Sequence, residues 1–154
     1  MERIYKHLLQ MLTISVLISL APPLKAADQL DECFIDAGNR YDIDPNLLKA
    51  IAHIESRLDP SASNSVGDKG LMQINPFWFD KLQNYGITEK LLENPCINAN
   101  VGAWILAQSF ASYGRNWEAV GRYHAGVKND ETTIRRVKRY ANDVKNTYLQ
   151  LTQK

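Results

Sequence analysis

Glu55 sits on the apolar face of a helix, where its side chain could do chemistry. In "IDPNLLKAIAHIESRLDP", residues 43–60, Leu47, Leu48 and Ile51 recur at helical spacing. Glu55 follows Ile51 by four residues and Leu48 by seven, so it projects from the side that should be buried. Glutamate is rarely fully buried without a partner. Near the helix carboxyl end the partial negative charge opposes a second negative group, and desolvation acts in the same direction. Both effects favour the neutral, proton-bearing form. Such an acid can protonate a poor leaving group, a glycosidic oxygen for example, and its conjugate base can take a proton back. A helix-end glutamate paired with an arginine has the same local pattern. Arg57, two residues on, does not face Glu55 on a helix.

Other candidate groups follow. "GLMQINP", residues 70–76, combines Gly70, which permits a close chain approach, with the amides of Gln73 and Asn75 and an apolar backing of Leu71, Met72 and Ile74. "GRYHAG", residues 121–126, brings Tyr123 and His124 to a helix end. A proton donor among amides and aromatic rings suits a carbohydrate better than a metal or a phosphate. The chain has no glycine-rich phosphate loop and no serine–histidine–acid order with supporting local sequence. Asp68, in "VGDKG", has two readings. It is either a second carboxylate across the bond to be cut, as in glycosidases generally, or a solvated loop aspartate.

The elements that must position these groups are helical. "DQLDECFIDAGNRY" places Leu30, Phe34, Ala37 and Tyr41 on one face. The Glu55 helix spans residues 45–57, with Asp44 as cap and Pro45 in the first turn. Residues 60–74 are a polar loop with room for a short irregular β-hairpin. "NPFWFDKLQNYG" begins a third helix at the Asn75 cap, and "TEKLLEN" is a short helical turn stopped by Pro95. "INANVGAWILAQSFASYG" is the long apolar helix of the interior, and "NWEAVGRYHAG" runs from Asn116 to Gly126. Ile134, Val137, Ala141, Val144, Tyr148 and Leu151 form a stripe along the last helix. The expected fold class is all-α, or α-dominated.

Residues 1–26 have the layout of a secretory signal peptide: Arg3 and Lys6, then an apolar segment, then Ala26 at the cleavage point. The apolar segment is short and broken for a membrane span, so the expectation is an exported, periplasmic protein of residues 27–154 with no stable span after cleavage. An uncleaved anchor is the competing reading. Setting the leader aside removes three of 18 basic and one of 17 acidic residues, leaving a near-neutral chain and no global charge argument for nucleic acid. From Ile134 onward six basic residues face one acid, Asp143. They form either a solvated helix face or a contact for an anionic polymer or partner. In an exported chain the two cysteines, Cys33 and Cys96, are expected to form a disulfide between the first helix and the segment before the fifth. His53 and His124 show no metal-ligand spacing with them.

Four motifs in order carry a family resemblance over residues 27–151: "ES" at Glu55–Ser56, "GLMQIN" at Gly70–Asn75, "NPCINANVG" at Asn94–Gly102 and "RYHAG" at Arg122–Gly126. The chain resembles the lytic transglycosylases of the lysozyme superfamily that carry a soluble-transglycosylase catalytic domain. The resemblance implies a lysozyme-like fold and peptidoglycan glycan strands as substrate. It implies cleavage between N-acetylmuramic acid and N-acetylglucosamine with a 1,6-anhydro product and no metal or organic cofactor. Glu55 would be the acid and then the base, Ser56 and Tyr123 would orient it or the sugar, and Gln73, Asn75 and His124 would contact the sugar. Met72 would line the groove, and Asn98 would be structural. The fourth motif departs from the family's alanine–tyrosine–asparagine–alanine–glycine at Arg122 and His124, which bears on its sugar contacts. The small size, the cysteine pair and "WEAVGRY" resemble specialised members of the invasion-protein type, which accompany type III secretion, type IV pilus or conjugation systems. A lysozyme-type hydrolase using water and a non-catalytic glycan-binding module are the alternatives.

Overall fold

Local signals place the helix ends. Asp44 accepts from the Asn46 N–H at 2.8 Å and Pro45 occupies the first turn, which opens the Glu55 helix where the sequence places it. Two residues beyond its end, Arg57 (φ 57°) and Leu58 (φ 65°), are left-handed. Their N–H groups return to the carbonyls of His53 and Ala52, closing the last turn without the glycine usual in such a cap. The chain therefore turns sharply just after Glu55.

This computed structural model describes residues 26–153, so the signal peptide read in residues 1–26 lies, but for Ala26, outside the described residues. The helices are α1 (Ala26–Tyr41), α2 (Pro45–Ser56), α3 (Phe79–Gln83), α4 (Pro95–Tyr113), α5 (Trp117–Ala125) and α6 (Glu131–Thr152). Two 3₁₀ turns, Pro76–Trp78 and Glu89–Glu93, lie between α2 and α4. The expected α-dominated class is the class found. The expected hairpin reduces to two isolated antiparallel bridges, Ser63 with Lys69 and Lys69 with Ile74.

Two expectations need correction. The third helix is a 3₁₀ turn followed by the five residues of α3, because Asn75 caps only Phe77 and the ladder tightens there. Pro95 opens α4 instead of stopping the turn before it. Asn94 accepts from the N–H groups of Cys96 and Ile97 at 3.0 and 3.1 Å, and a proline missing its donor fits the first position of a helix so capped.

α4 is buried on both sides, through Asn98, Ala99, Val101, Gly102, Ala103, Ile105 and Leu106, and forms the core with α1 and α5 against it. α6 packs on α5 and α2. Asp44, just before α2, takes a 2.7 Å bond from Tyr148 near the end of α6, whereas Glu55 at the end of α2 takes one from Tyr140, so the two helices run antiparallel.

Cys33 and Cys96 are joined, 63 positions apart in sequence. Cys96 lies inside the first turn of α4, not in the segment before it, so the link fastens α1 directly to the central helix. Closing a loop of that length contributes about 4 kcal/mol in the chain-entropy account. Replacing both cysteines by serine should lower unfolding free energy by about 3–4 kcal/mol. Chemical denaturation with and without reductant checks this, since the variant should be insensitive to reductant.

Candidate active site

Glu55 keeps 11% of its side-chain surface at the end of α2. Its Oε1 accepts from the Tyr140 hydroxyl at 2.6 Å and lies 3.3 Å from Nδ1 of His124. The His124 and Tyr140 rings stack, centroids 4.6 Å apart and planes within 5°. Among the described residues nothing bonds to Oε2. It is also absent from the sealed, partnerless polar atoms, which are Asn100 Oδ1 and Arg122 Nε, so solvent reaches it. The carboxylate has one oxygen held by the protein and the other open.

Burial, and after it the charge of Glu55, pushes the Tyr140 hydroxyl well above the ordinary phenol range, so it stays a donor. Among the described residues no arginine pairs with Glu55, although a helix-end glutamate would suggest one. Tyr140 and His124 stand in its place.

Tyr123 is partly buried, and its hydroxyl donates to the Met72 carbonyl at 2.7 Å. Burial first, then the charges of Glu55 and Asp68, hold its proton far above the ordinary phenol range. It links α5 to the 70–76 segment and does not touch Glu55 by a hydrogen bond. Ser56 does related work from α2, its Oγ lying 2.8 Å from the Leu71 carbonyl and 3.1 Å from that of Ala52.

The 70–76 segment folds onto α4 through Asn98, which is fully buried. Its Oδ1 accepts from Met72 N–H at 2.8 Å, and its Nδ2 donates to the Lys69 and Leu92 carbonyls at 2.9 and 2.8 Å. Gly70 has φ +72°, and a Cβ there would fall 2.2 Å from Asn98 Nδ2 and 2.6 Å from the Leu92 carbonyl, so the close approach read from the sequence is real. Met72 differs from expectation. Its side chain packs against Gly102 and is wholly buried, so it braces the segment from beneath and presents no groove wall.

Several polar groups are already committed. Gln73 adopts φ 46°, and its Nε2 donates to the Ala62 and Gly70 carbonyls, leaving only Oε1 free of protein. Asn75 Oδ1 caps Phe77, and its Nδ2 donates to Asp68 at 2.6 Å. Asp68 also accepts from Asn64 Nδ2 at 2.7 Å, and both of its oxygens brace the loop. Among the described residues no three His, Cys, Asp or Glu side chains form a metal-ligating set.

Residues 32–146 match the model of the transglycosylase SLT domain. The chain belongs to this family. The "Invasion protein IagB" of Salmonella typhimurium (strain LT2) is 44% identical over 125 residues, covering 78% of this chain and 77% of that one. "Protein IpgF" of Shigella flexneri is 38% identical over 143 residues, 90% of each chain. "X polypeptide" of Escherichia coli K12 is 42% identical over 125 residues, 76% of this chain and 72% of that one. Among solved structures, an inactive glutamate-to-glutamine mutant of lytic transglycosylase Slt from Pseudomonas aeruginosa superposes with TM-score 0.67 at 21% identity. The match covers 79% of this chain but only 24% of that one, so it concerns the fold alone. The lysozyme-like, lytic-transglycosylase fold expected from the four motifs is the fold of this SLT domain.

Within the SLT domain, sequence reading missed Tyr140. It lies three residues after Val137 and four before Val144, both on the α6 stripe, so its face was legible but its partner 85 residues away was not. Arg122 was noted only as a departure. It is 7% exposed and bonds to the carbonyls of Gly126 and Lys128, to Asn129 Oδ1 and to Glu118, which fastens the turn after α5.

Asn98→Ala would leave one N–H and two carbonyls without a buried partner. It should cost about 3 kcal/mol in unfolding free energy, and hydrogen exchange at the Met72 amide should rise with it.

Proposed function

We propose that this SLT domain is a peptidoglycan lytic transglycosylase acting through the single carboxyl of Glu55. The observation that carries the reading is the asymmetry of that carboxyl. With Oε1 receiving the Tyr140 hydrogen, the proton of the neutral acid resides on Oε2, the oxygen open to solvent. Oε2 would donate it to the oxygen bridging N-acetylmuramic acid and N-acetylglucosamine as the bond to the muramoyl C1 breaks. The carboxylate left behind, steadied by Tyr140, would take the proton of the muramoyl C6 hydroxyl as that oxygen closes on C1. One bond breaks, one forms, and the proton returns to Glu55 with no net use of water.

Asp68 has no part in this scheme, because both its oxygens bond to loop amides. Ser56 and Tyr123 act by holding α2, the 70–76 segment and α5 in register, and Gln73 Oε1 and the exposed edge of His124 are the groups left for an N-acetyl or hydroxyl contact. Two open depressions lie elsewhere, one of about 460 Å³ lined by Phe110 and Trp117 and one of about 530 Å³ lined by Trp104. An extended glycan strand needs an open surface beside Glu55 more than an enclosed cavity. Export through the residue 1–26 leader to the periplasm, and opening of the wall for a secretion, pilus or conjugation apparatus, complete the reading. The names of the invasion-protein relatives are its support.

Purified protein incubated with sacculi should release muropeptides with 1,6-anhydro ends, read by mass spectrometry. Reducing muramoyl ends instead would mean a hydrolase. Glu55→Gln should reduce release about a thousandfold while strand binding persists. Equal, poor digestion by parent and variant would remove the enzymatic reading. Tyr140→Phe, which strips the carboxylate of its donor, should lower turnover about tenfold.

A further inference from the structure

The cations of α6 divide between two flanks. Lys138 lines a pocket with Trp117, Glu118 and Arg122, and Lys145 lies over the Trp117 ring at 5.9 Å, so both belong to the α5 side. Arg135 pairs with Glu131 at 2.9 Å. Arg136 and Arg139 are exposed, and among the described residues neither makes an ion pair, a hydrogen bond or a ring contact. At about 100° per residue, Arg136 stands about 40° from Tyr140 around the helix and Arg139 about 100° in the same sense, whereas Lys138 is about 160° away. Arg136 is thus one turn from Tyr140 on its own face, and Arg139 is its neighbour. The Tyr140 hydroxyl touches Glu55. Two unpaired guanidinium groups therefore stand along the helix that holds the proton donor.

On the peptidoglycan reading, which this inference deepens, the sugar whose C1 is attacked carries a peptide stem with free carboxylates. Such a stem is anionic, so a cation standing free beside the site is the group suited to receive it. We infer that Arg136, with Arg139 beside it, binds the stem-peptide carboxylates of the muramoyl residue at Glu55 and makes the domain selective for peptide-bearing strands. Guanidinium suits this task because its planar donors meet a carboxylate two at a time. The remaining α6 cations face α5 or are already paired, so the recognition is local and does not come from net charge.

The test compares soluble glycan strands bearing stems with the same strands stripped by an amidase. Wild-type protein should show the lower KM on peptide-bearing strands. The double variant R136Q/R139Q, matched for melting temperature, should raise that KM about fivefold with kcat changed less than twofold, and the preference should disappear. K138Q, the same loss of charge on the opposite flank, should keep the wild-type preference. Retained preference in the double variant, or its loss in K138Q, would overturn the assignment. If wild-type protein cuts neither substrate, the enzymatic reading fails separately. Co-sedimentation with the two strand preparations then decides the arginines by the same rule, with lost preference upholding them and retained preference overturning them.

Discussion

The buried amide of Asn98 holds the site together. It meets one N–H and two carbonyls from strands of backbone that have no ladder of their own, at distances of 2.8–2.9 Å. A loop of polar residues could not otherwise lie against an apolar helix, since its backbone groups would lose water and gain no partner. Once Met72 is fixed on α4, its carbonyl is presented to the Tyr123 hydroxyl and the Leu71 carbonyl to Ser56. These bonds bind α5 and α2 to the same loop. His124 follows Tyr123 in the chain and stacks on Tyr140, which in turn holds Glu55. Three helices and a loop thus converge on one carboxyl through a short series of specific contacts.

The surroundings of Glu55 treat its two oxygens differently: Oε1 takes the Tyr140 hydrogen, and Oε2 is left open to solvent. Tyr140 is suited to this because its own proton is held tightly, so it offers a hydrogen bond without competing for the proton. With one oxygen held and one open, a proton on the neutral carboxyl would sit on the open one. A carboxyl free on both oxygens would spread it over two sites.

Side chains that read as sugar contacts in the sequence turn out to have dual or different duties. Met72 lies beneath the loop because Gly102 leaves a space on α4 that its side chain fills. Asn75 and Asp68 bond to each other, Asn75 also accepts from the Phe77 N–H and Asp68 from the Asn64 side-chain amide, so the polar density of residues 61–75 serves chiefly to hold a segment without regular structure. Polar residue types are equally suited to binding sugar and to satisfying a loop, and composition does not distinguish them.

The sequence by itself determined the helical class, the helix starts at Asp44 and Asn116, the face on which Glu55 stands and the family. These depend on periodicity, on cap residues acting over three or four positions and on contiguous motifs, all of which are local. Only the tertiary structure decided which oxygen of Glu55 is held, that Tyr140 holds it, that Met72 is buried and that Asp68 is engaged with its own loop. Those depend on contacts such as the 85-residue separation of Glu55 and Tyr140, where the antiparallel packing of α2 and α6 sets the pairing. A stripe of apolar residues says which face of a helix is inward. It does not say what is waiting there.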